Sequence, residues 1–519
     1  VEDRFHQLFK PNGADASAQP ASSSSAQTPK TKPKEPIRVD FKGIHDRLAF
    51  LPTGLDVNSQ TISPDGKTVL LTAVSAGQQN LYLYPLDDDR AIARQITASP
   101  GQKRYAQWAP DGKSVYYLTD AGTIQAVSLH DLKNATVDIQ AEFDQNFNSD
   151  KIEDFTQAWS AIRDFYADPH TNGVDWNAVH ARFLPQFEGA QNPPEMRRLL
   201  QLMIGELNSS HTGVYPPPAG LHSTIGRIGL TFDRVLYERS GAFQITGIVP
   251  QSPAAVSGEI AVGDRLVAVN GERLDANTNL AELLDNTIGK KVVLTIRAAG
   301  SEKSVAVKPV DLGTIAHLRY REWVAGNREY VDRISGGRLG YVHLADMEPE
   351  SLAQFYKDLD TYQFSKQGVV IDVRANEGGF VNGYALDVLS RQPYLLFTSR
   401  NQPTSPVREV LGQRALEKPT VLITNEETLS DGEDFTQGYE AMHLGKVVGE
   451  PTAGWIIYTS AIQLIDGTVF RLPSTKVTTL AGKPMEMHPR PVDVTVQRAV
   501  DSSEDAQLKT AVRVLLGNQ

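Results

Sequence analysis

The chain has 519 residues, 40% apolar and 22% charged, which at about 150 residues per domain gives three or four domains with enough apolar surface for packed cores. It has no Cys, which excludes disulfide frameworks, thiolate metal sites and Cys nucleophiles while leaving the redox compartment open. A net charge of −11 speaks against binding a nucleic-acid backbone, and the absence of any run of about 18 apolar residues against a membrane span.

Residues 1–36 are expected to be a disordered linker. Residues 11–36 are mostly Ala, Ser, Gln, Thr, Lys and Pro, including the run Ser22-Ser23-Ser24-Ser25, and cannot bury enough surface to order themselves. The chain opens at Val1 with no signal-like apolar region. The expectation is that something upstream was removed or that this is a piece of a longer chain.

Residues 37–140 read as β. Ser63-Pro64-Asp65-Gly66-Lys67 recurs as Ala109-Pro110-Asp111-Gly112-Lys113, each followed by an apolar β run. An Asp-Gly turn at a repeat of about 40–50 residues is a signature of propeller blades, and two copies imply an incomplete propeller. Residues 141–222 are expected to be helical. Ile152, Phe155, Trp159, Ile162 and Phe165 follow helical spacing, and a second helix starts at the cap Asn192 with Pro193 in its first turn. It runs out at Asn208-Ser209-Ser210-His211.

Within residues 223–312, Ile228-Gly229-Leu230-Thr231-Phe232, Ile248-Val249-Pro250-Gln251-Ser252-Pro253 and Gly263-Asp264-Arg265-Leu266-Val267 resemble a PDZ domain. Such a domain exposes a sheet edge that takes a peptide as an added strand, or serves for packing alone. Residues 313–519 read as α/β, with strands near 339–344, 369–373, 421–424 and 446–449 and helices after the first three.

Three segments carry candidate chemistry. The first is Glu206-Leu207-Asn208-Ser209-Ser210-His211, a His at a helix exit. The second is Asp372-Val373-Arg374-Ala375-Asn376-Glu377-Gly378-Gly379-Phe380, where a Gly pair lets the backbone turn sharply and aim N–H groups outward. The third is Thr424-Asn425-Glu426-Glu427-Thr428-Leu429-Ser430-Asp431-Gly432, which puts a Ser between a strand and a helix N-terminus. Taken singly they read as a surface His, a tight turn and an ordinary Ser cap. No P-loop, His-Glu-x-x-His or Gly-x-Ser-x-Gly motif is present, and no metal or organic cofactor is expected.

Together, in this order around a PDZ domain, the three segments resemble the tricorn and tail-specific serine proteases, over roughly residues 37–500. The resemblance implies a multidomain α+β fold of partial propeller blades, helical segment, PDZ domain and α/β serine-protease catalytic domain. It implies Ser430 as nucleophile, His211 as general base, and Ser210 as a relay to a late carboxylate, Glu486. The backbone N–H groups of Gly379 and Asp431 would be the oxyanion donors. After Glu486 the family's Asn and Gly are replaced by Met487 and Pro489. His443, expected in the last turn of a helix, and His488 are the rival bases.

In that family an Asp after the glycine run favours a basic residue at the cleaved position. Counted without gaps that place is Phe397, and residues 388–407 contain no Asp or Glu. An apolar cleavage preference is therefore expected, because a stranded cation is costly and an apolar side chain gains transfer energy. The resemblance further implies peptide or unfolded-protein substrates, a homo-oligomer (a hexamer) and a cytoplasmic setting. The alternatives are a catalytically silent peptide-binding scaffold and an envelope carboxy-terminal processing protease, periplasmic or exported.

Overall fold

The computed structural model describes residues 40–88, 91–139, 146–217, 223–407, 414–498 and 504–517; the expected linker over residues 1–36 lies outside them. The chain divides into two compact units, Val1–Asp144 and Gln145–Gln519.

The first unit holds two antiparallel four-stranded sheets, each in chain order: β1 (Asp56–Ile62), β2 (Thr68–Ser75), β3 (Gln78–Pro85) and β4 (Arg94–Gln95), then β5 (Arg104–Trp108), β6 (Ser114–Leu118), β7 (Ile124–Ser128) and β8 (Asn134–Val137). The repeated motif makes the same turn in both. Gly66 N–H donates to Ser63 C=O at 2.8 Å and Gly112 N–H to Ala109 C=O at 2.9 Å. Asp65 and Asp111 each accept the N–H two residues on at 3.0 Å, the local bond that makes Asp a turn former. Leu70, Leu81, Val115 and Val127, drawn from both sheets, share one core.

The second unit opens with helices α1 (Phe147–Phe165), α2 (Trp176–Gly189) and α3 (Pro193–Gly205), followed by strand β9 (Gly213–Tyr215). Asn192 caps α3 by accepting Glu195 N–H at 3.0 Å, and Met196, Leu200 and Met203 form its buried stripe. Next comes a six-stranded sheet of β10 (Leu230–Phe232), β11 (Phe243–Ile248), β12 (Arg265–Val269), β13 (Glu272–Arg273), β14 (Val292–Ala298) and β15 (Ser301–Val307). It carries the short helices α4 (Arg234–Ser240), α5 (Pro253–Ser257) and α6 (Leu280–Leu283). The 24-residue helix α7 (Leu312–Ser335) leads out of it.

The rest alternates strand and helix: β16 (Leu339–His343), α8 (Pro349–Ser365), β17 (Gly368–Asp372), α9 (Asn382–Ser390), a ribbon of β18 (Leu396–Phe397) and β19 (Ser405–Pro406), β20 (Thr420–Thr424), α10 (Asp431–Ala441), β21 (Gly445–Gly449), β22 (Tyr458–Gln463), β23 (Val469–Thr475), β24 (Val494–Thr495) and α11 (Ala506–Leu515). Strands β16-β17-β20-β21-β24 form one parallel sheet. Every residue of β17 and β20 is buried. Val369 and Ile371 face a core with Phe355, Phe435 and Tyr439, whereas Val370 faces one with Val331, Leu508 and Val512. Burial on both faces is why these strands read as unbroken apolar runs.

Strands β22 and β23 leave that sheet. They pair with each other and, through β23, with β9. Ile457, Leu464, Phe470 and Leu472 are buried among the helices α1–α3. The helical segment is thus completed by a hairpin from late in the chain. His443 stands past the end of α10 rather than in its last turn, in the left-handed region at φ 53°. Among the described residues, no helix is long and apolar enough to cross a membrane.

Candidate active site

Strands β17 and β20 are neighbours in parallel register, so the segments leaving their carboxyl ends emerge side by side. Cross-bonds fix the two segments to each other. Thr428 Oγ1 donates to Val373 C=O at 2.8 Å, Ala375 N–H to Asn425 Oδ1 at 2.9 Å, and Leu429 N–H to Asn376 C=O at 2.9 Å. Asn376, fully buried, accepts Gly378 N–H at 2.9 Å and donates to Leu344 C=O at 2.8 Å.

Ser430 precedes α10 at φ 56°, ψ −129°, and its side chain caps nothing. Ser252, in the equivalent place before α5, does cap its helix. An ordinary capping Ser spends its hydroxyl on the helix; Ser430 keeps it free at a strained backbone position. The glycine turn lies directly against it. A Cβ on Gly378 would come within 2.5 Å of Ser430 Cβ, 2.9 Å of Ser430 Oγ and 2.9 Å of Asp431 N. Gly379 packs on Met347, whose C=O a Cβ would meet at 2.1 Å. Among the described residues, the N–H groups of Gly379 and Asp431 donate to nothing. The Asp431 carboxylate is turned to Asn382 N–H, at 3.0 Å, and Tyr458 hydroxyl, at 3.2 Å.

Ser210, His211 and Glu486 meet on the other side. Ser210 Oγ lies 3.0 Å from Glu486 Oε2 and 3.1 Å from His211 Nδ1. Glu486 also accepts Ser210 N–H at 2.7 Å, and Ile456 and Ile457 N–H at 3.0 Å each. A carboxylate only accepts, so the Ser210 hydroxyl donates to it and accepts Nδ1–H from His211. The free acceptor of the imidazole is then Nε2. Burial, reinforced by the Arg471 charge and opposed by Glu486, pulls His211 down to about 4, so its ring is neutral at pH 7.

Three consecutive residues strap the two sides together. Trp455 C=O accepts Ser430 N–H at 2.7 Å, and the next two N–H groups are those that hold Glu486. Sequence reading missed this strap because it acts through backbone groups, which carry no residue signature. Asn376 and Glu433 stood inside or beside quoted motifs, but only the fold assigns them partners. His488 Nδ1 is bound to Glu486 C=O at 2.7 Å and takes no part in the relay. Phe397 sits 39% exposed in the β18–β19 ribbon, with no described contact to Ser430 or the glycine turn.

A cavity of about 510 Å³ opens beside Leu429 and Trp455, and Glu377, Glu426 and Glu427 line it. Phe380 and Trp455, 72% and 49% exposed, add apolar surface next to the glycine turn and the strap. Among the described residues, no His, Asp and Glu cluster could hold a metal ion.

Residues 338–496 match the family model of peptidase family S41, residues 141–205 that of the tricorn protease C1 domain, and residues 244–298 that of a PDZ domain. Tricorn protease homolog 1 of Streptomyces coelicolor is 31% identical over 520 residues, covering 92% of this chain and 47% of that protein. The tricorn protease homolog of Saccharolobus solfataricus is 32% identical over 362 residues, 66% of this chain and 32% of that protein. The crystal structure of the tricorn protease superposes with a TM-score of 0.74 at 21% identity, over 89% of this chain and 46% of that one, which is a shared fold. The chain spans about half the length, or less, of these relatives. The chain thus carries segments matching the tricorn C1, PDZ and peptidase family S41 models in that order, and over most of its length it is similar to the tricorn proteases.

Proposed function

We propose that the chain is the catalytic part of a serine peptidase acting on peptides or unfolded polypeptides. The observation that carries this is the relay from Glu486 through Ser210 to His211, strapped by residues 455–457 to a Ser430 whose hydroxyl caps nothing. Ser430 Oγ attacks the scissile carbonyl carbon and His211 Nε2 takes its proton. The carbonyl oxygen, now anionic, receives the N–H groups of Gly379 and Asp431, each worth about 3–4 kcal/mol by the precedent of known oxyanion holes. On collapse the proton passes to the departing amine and leaves an ester on Ser430, which water hydrolyses by the same route. Among the described residues, Ser430 Oγ and His211 share no hydrogen bond; such bonds tighten in the Michaelis complex.

The preferred cleaved residue in this reading is apolar, supported by the exposed Phe380 and Trp455 and by the absence of Asp and Glu from residues 388–407 around Phe397. The three glutamates at the neighbouring cavity make a basic residue the competing outcome. We further read the two four-stranded sheets as propeller blades, and infer a homo-oligomer working in the cytoplasm from the family resemblance. Labelling with an organophosphonate followed by peptide mapping tests the central reading. The label is expected on Ser430, and its absence would turn the reading to a peptide-binding scaffold. A panel of fluorogenic peptides varying only the cleaved residue tests the preference, and faster cleavage after Lys or Arg would overturn it.

A further inference from the structure

Glu433 is fully buried and makes no ion pair among the described residues. Burying a carboxylate without a cation is costly, and such groups persist where something depends on them. Glu433 lies on the first turn of α10, three residues after Ser430, and its N–H donates to Ser430 C=O at 2.8 Å. Its carboxylate accepts Trp455 N–H on Oε1 at 2.6 Å and the Thr452 hydroxyl on Oε2 at 2.8 Å. Trp455 is the residue whose C=O receives Ser430 N–H, and the two residues after it hold Glu486. One side chain therefore grips the strap from beneath at the point where it joins the two sides of the site.

We propose that Glu433 is a positioning residue whose ionised carboxylate clamps Thr452 and Trp455, and so sets Ser430 against the relay of Glu486, Ser210 and His211. This rests on the peptidase reading above. Only the ionised form accepts on both oxygens. Once protonated, one oxygen becomes a donor facing Thr452 Oγ1, which already receives Arg490 N–H at 2.7 Å and must turn its own hydrogen away. Burial lifts Glu433 to about 7, against the bonds from Thr452 and Trp455 and the charge of Arg490. Arg490 follows Glu486 in the chain. On α10 itself the flanking acid is Asp434, lifted by burial to about 6. The clamp thus forms as the pH rises through neutrality, well above the range in which His211 titrates.

The test is kcat/KM against pH for the wild-type chain and Glu433→Gln, with the rate of organophosphonate labelling of Ser430 measured in parallel. The wild type is expected to rise with a midpoint near 7. Glu433→Gln is expected to lose that limb, and to lose about tenfold to a hundredfold in kcat at pH 8 with little change in KM, the size of effect that a small misplacement produces. A limb that persists in Glu433→Gln belongs to another acid, such as Asp434, and overturns the proposal. If Glu433→Gln does not fold, Thr452→Val serves instead: removing one bond to the ionised form should move the limb to higher pH, and an unmoved limb overturns the clamp. A wild type that neither cleaves nor takes the label sinks the peptidase reading itself. Normal labelling with an unchanged pH profile in the variant sinks only the clamp.

Discussion

Ser430 and the Gly378–Gly379 turn stand at the carboxyl ends of two adjacent strands in which every residue is buried. Ser210, His211 and Glu486 stand on segments 276 residues apart in the chain, joined by hydrogen bonds to one carboxylate. The first side is held by sheet packing and by cross-bonds through the Thr428 and Asn425 side chains and the backbone of Leu429, which are redundant and stiff. The second is held by four donors on Glu486, two from Ser210 and one each from Ile456 and Ile457. Damage to the nucleophile side should therefore be abrupt, and damage to the relay side graded.

The largest effect tests the nucleophile side. Ser430→Ala is expected to cut turnover by roughly 10⁴- to 10⁶-fold, the range seen when one member of a catalytic unit is removed. Its melting temperature should match the wild type, because the hydroxyl makes no cap bond to α10 and no other hydrogen bond among the described residues. Near-normal turnover on short peptides would break the site assignment.

Gly378→Ala attacks the same side through geometry. The glycine sits at φ +92° and its added methyl would collide with Ser430 and crowd Asp431 N. A loss of about 10²- to 10³-fold in kcat is expected, as for a displaced oxyanion donor. Gly383→Ala, with nothing within 4 Å of the new methyl and a helical backbone, is the control and should keep full activity. Equal behaviour of the two variants would show that the glycine turn does not face the reaction.

Ser210→Ala probes the graded side. It removes the relay hydroxyl but leaves three N–H groups on Glu486. The expected loss is about tenfold to a hundredfold in kcat, below the full contribution of a general base. A loss as large as that of Ser430→Ala would mean that both sides are equally unforgiving.

The smallest effect lies behind the relay, where α1 meets the turn of the β22–β23 hairpin. Asp154 is fully buried, and among the described residues its Oδ2 has no partner and the carboxylate makes no ion pair. Burial and then the Asp466 charge raise it to about 7. A raised carboxylate takes up a proton on folding, so its contribution is complete below the unfolded value near 3.8 and is lost as the pH climbs through 7. Asp154→Asn should raise the melting temperature by about 2–4 °C at pH 8 and by less than half as much at pH 5, by calorimetry at both pH values. An equal shift at both would remove the ionised carboxylate as the cause.

The place of Ser430 and the glycine turn was legible because the parts around them are local: an apolar strand, a glycine turn, and a Ser opening a helix each have a short-range physical signature. What separated Ser430 from an ordinary cap was the missing cap bond, which only the structure supplies. Glu486 could be named from resemblance alone, since Met487 and Pro489 depart from the family pattern, and its role depends on donors from two distant segments. The helix α7 was not anticipated, because only Ile315, Val331 and Ser335 along it are buried and its apolar period is correspondingly faint.

The sequence by itself determined the turns of the repeated Asp-Gly motif, the caps of α3 and α5, and the apolar strands of the parallel sheet. These follow from bonds and periodicities within a few residues of each other. Only the tertiary structure decided that β22 and β23 leave that sheet to complete the core of α1–α3, and that β9, which follows His211, pairs with β23 of the hairpin that continues the strap of residues 455–457. Pairing between strands some 250 residues apart is chosen by which apolar faces remain uncovered once the local elements have formed, and no local pattern records that choice.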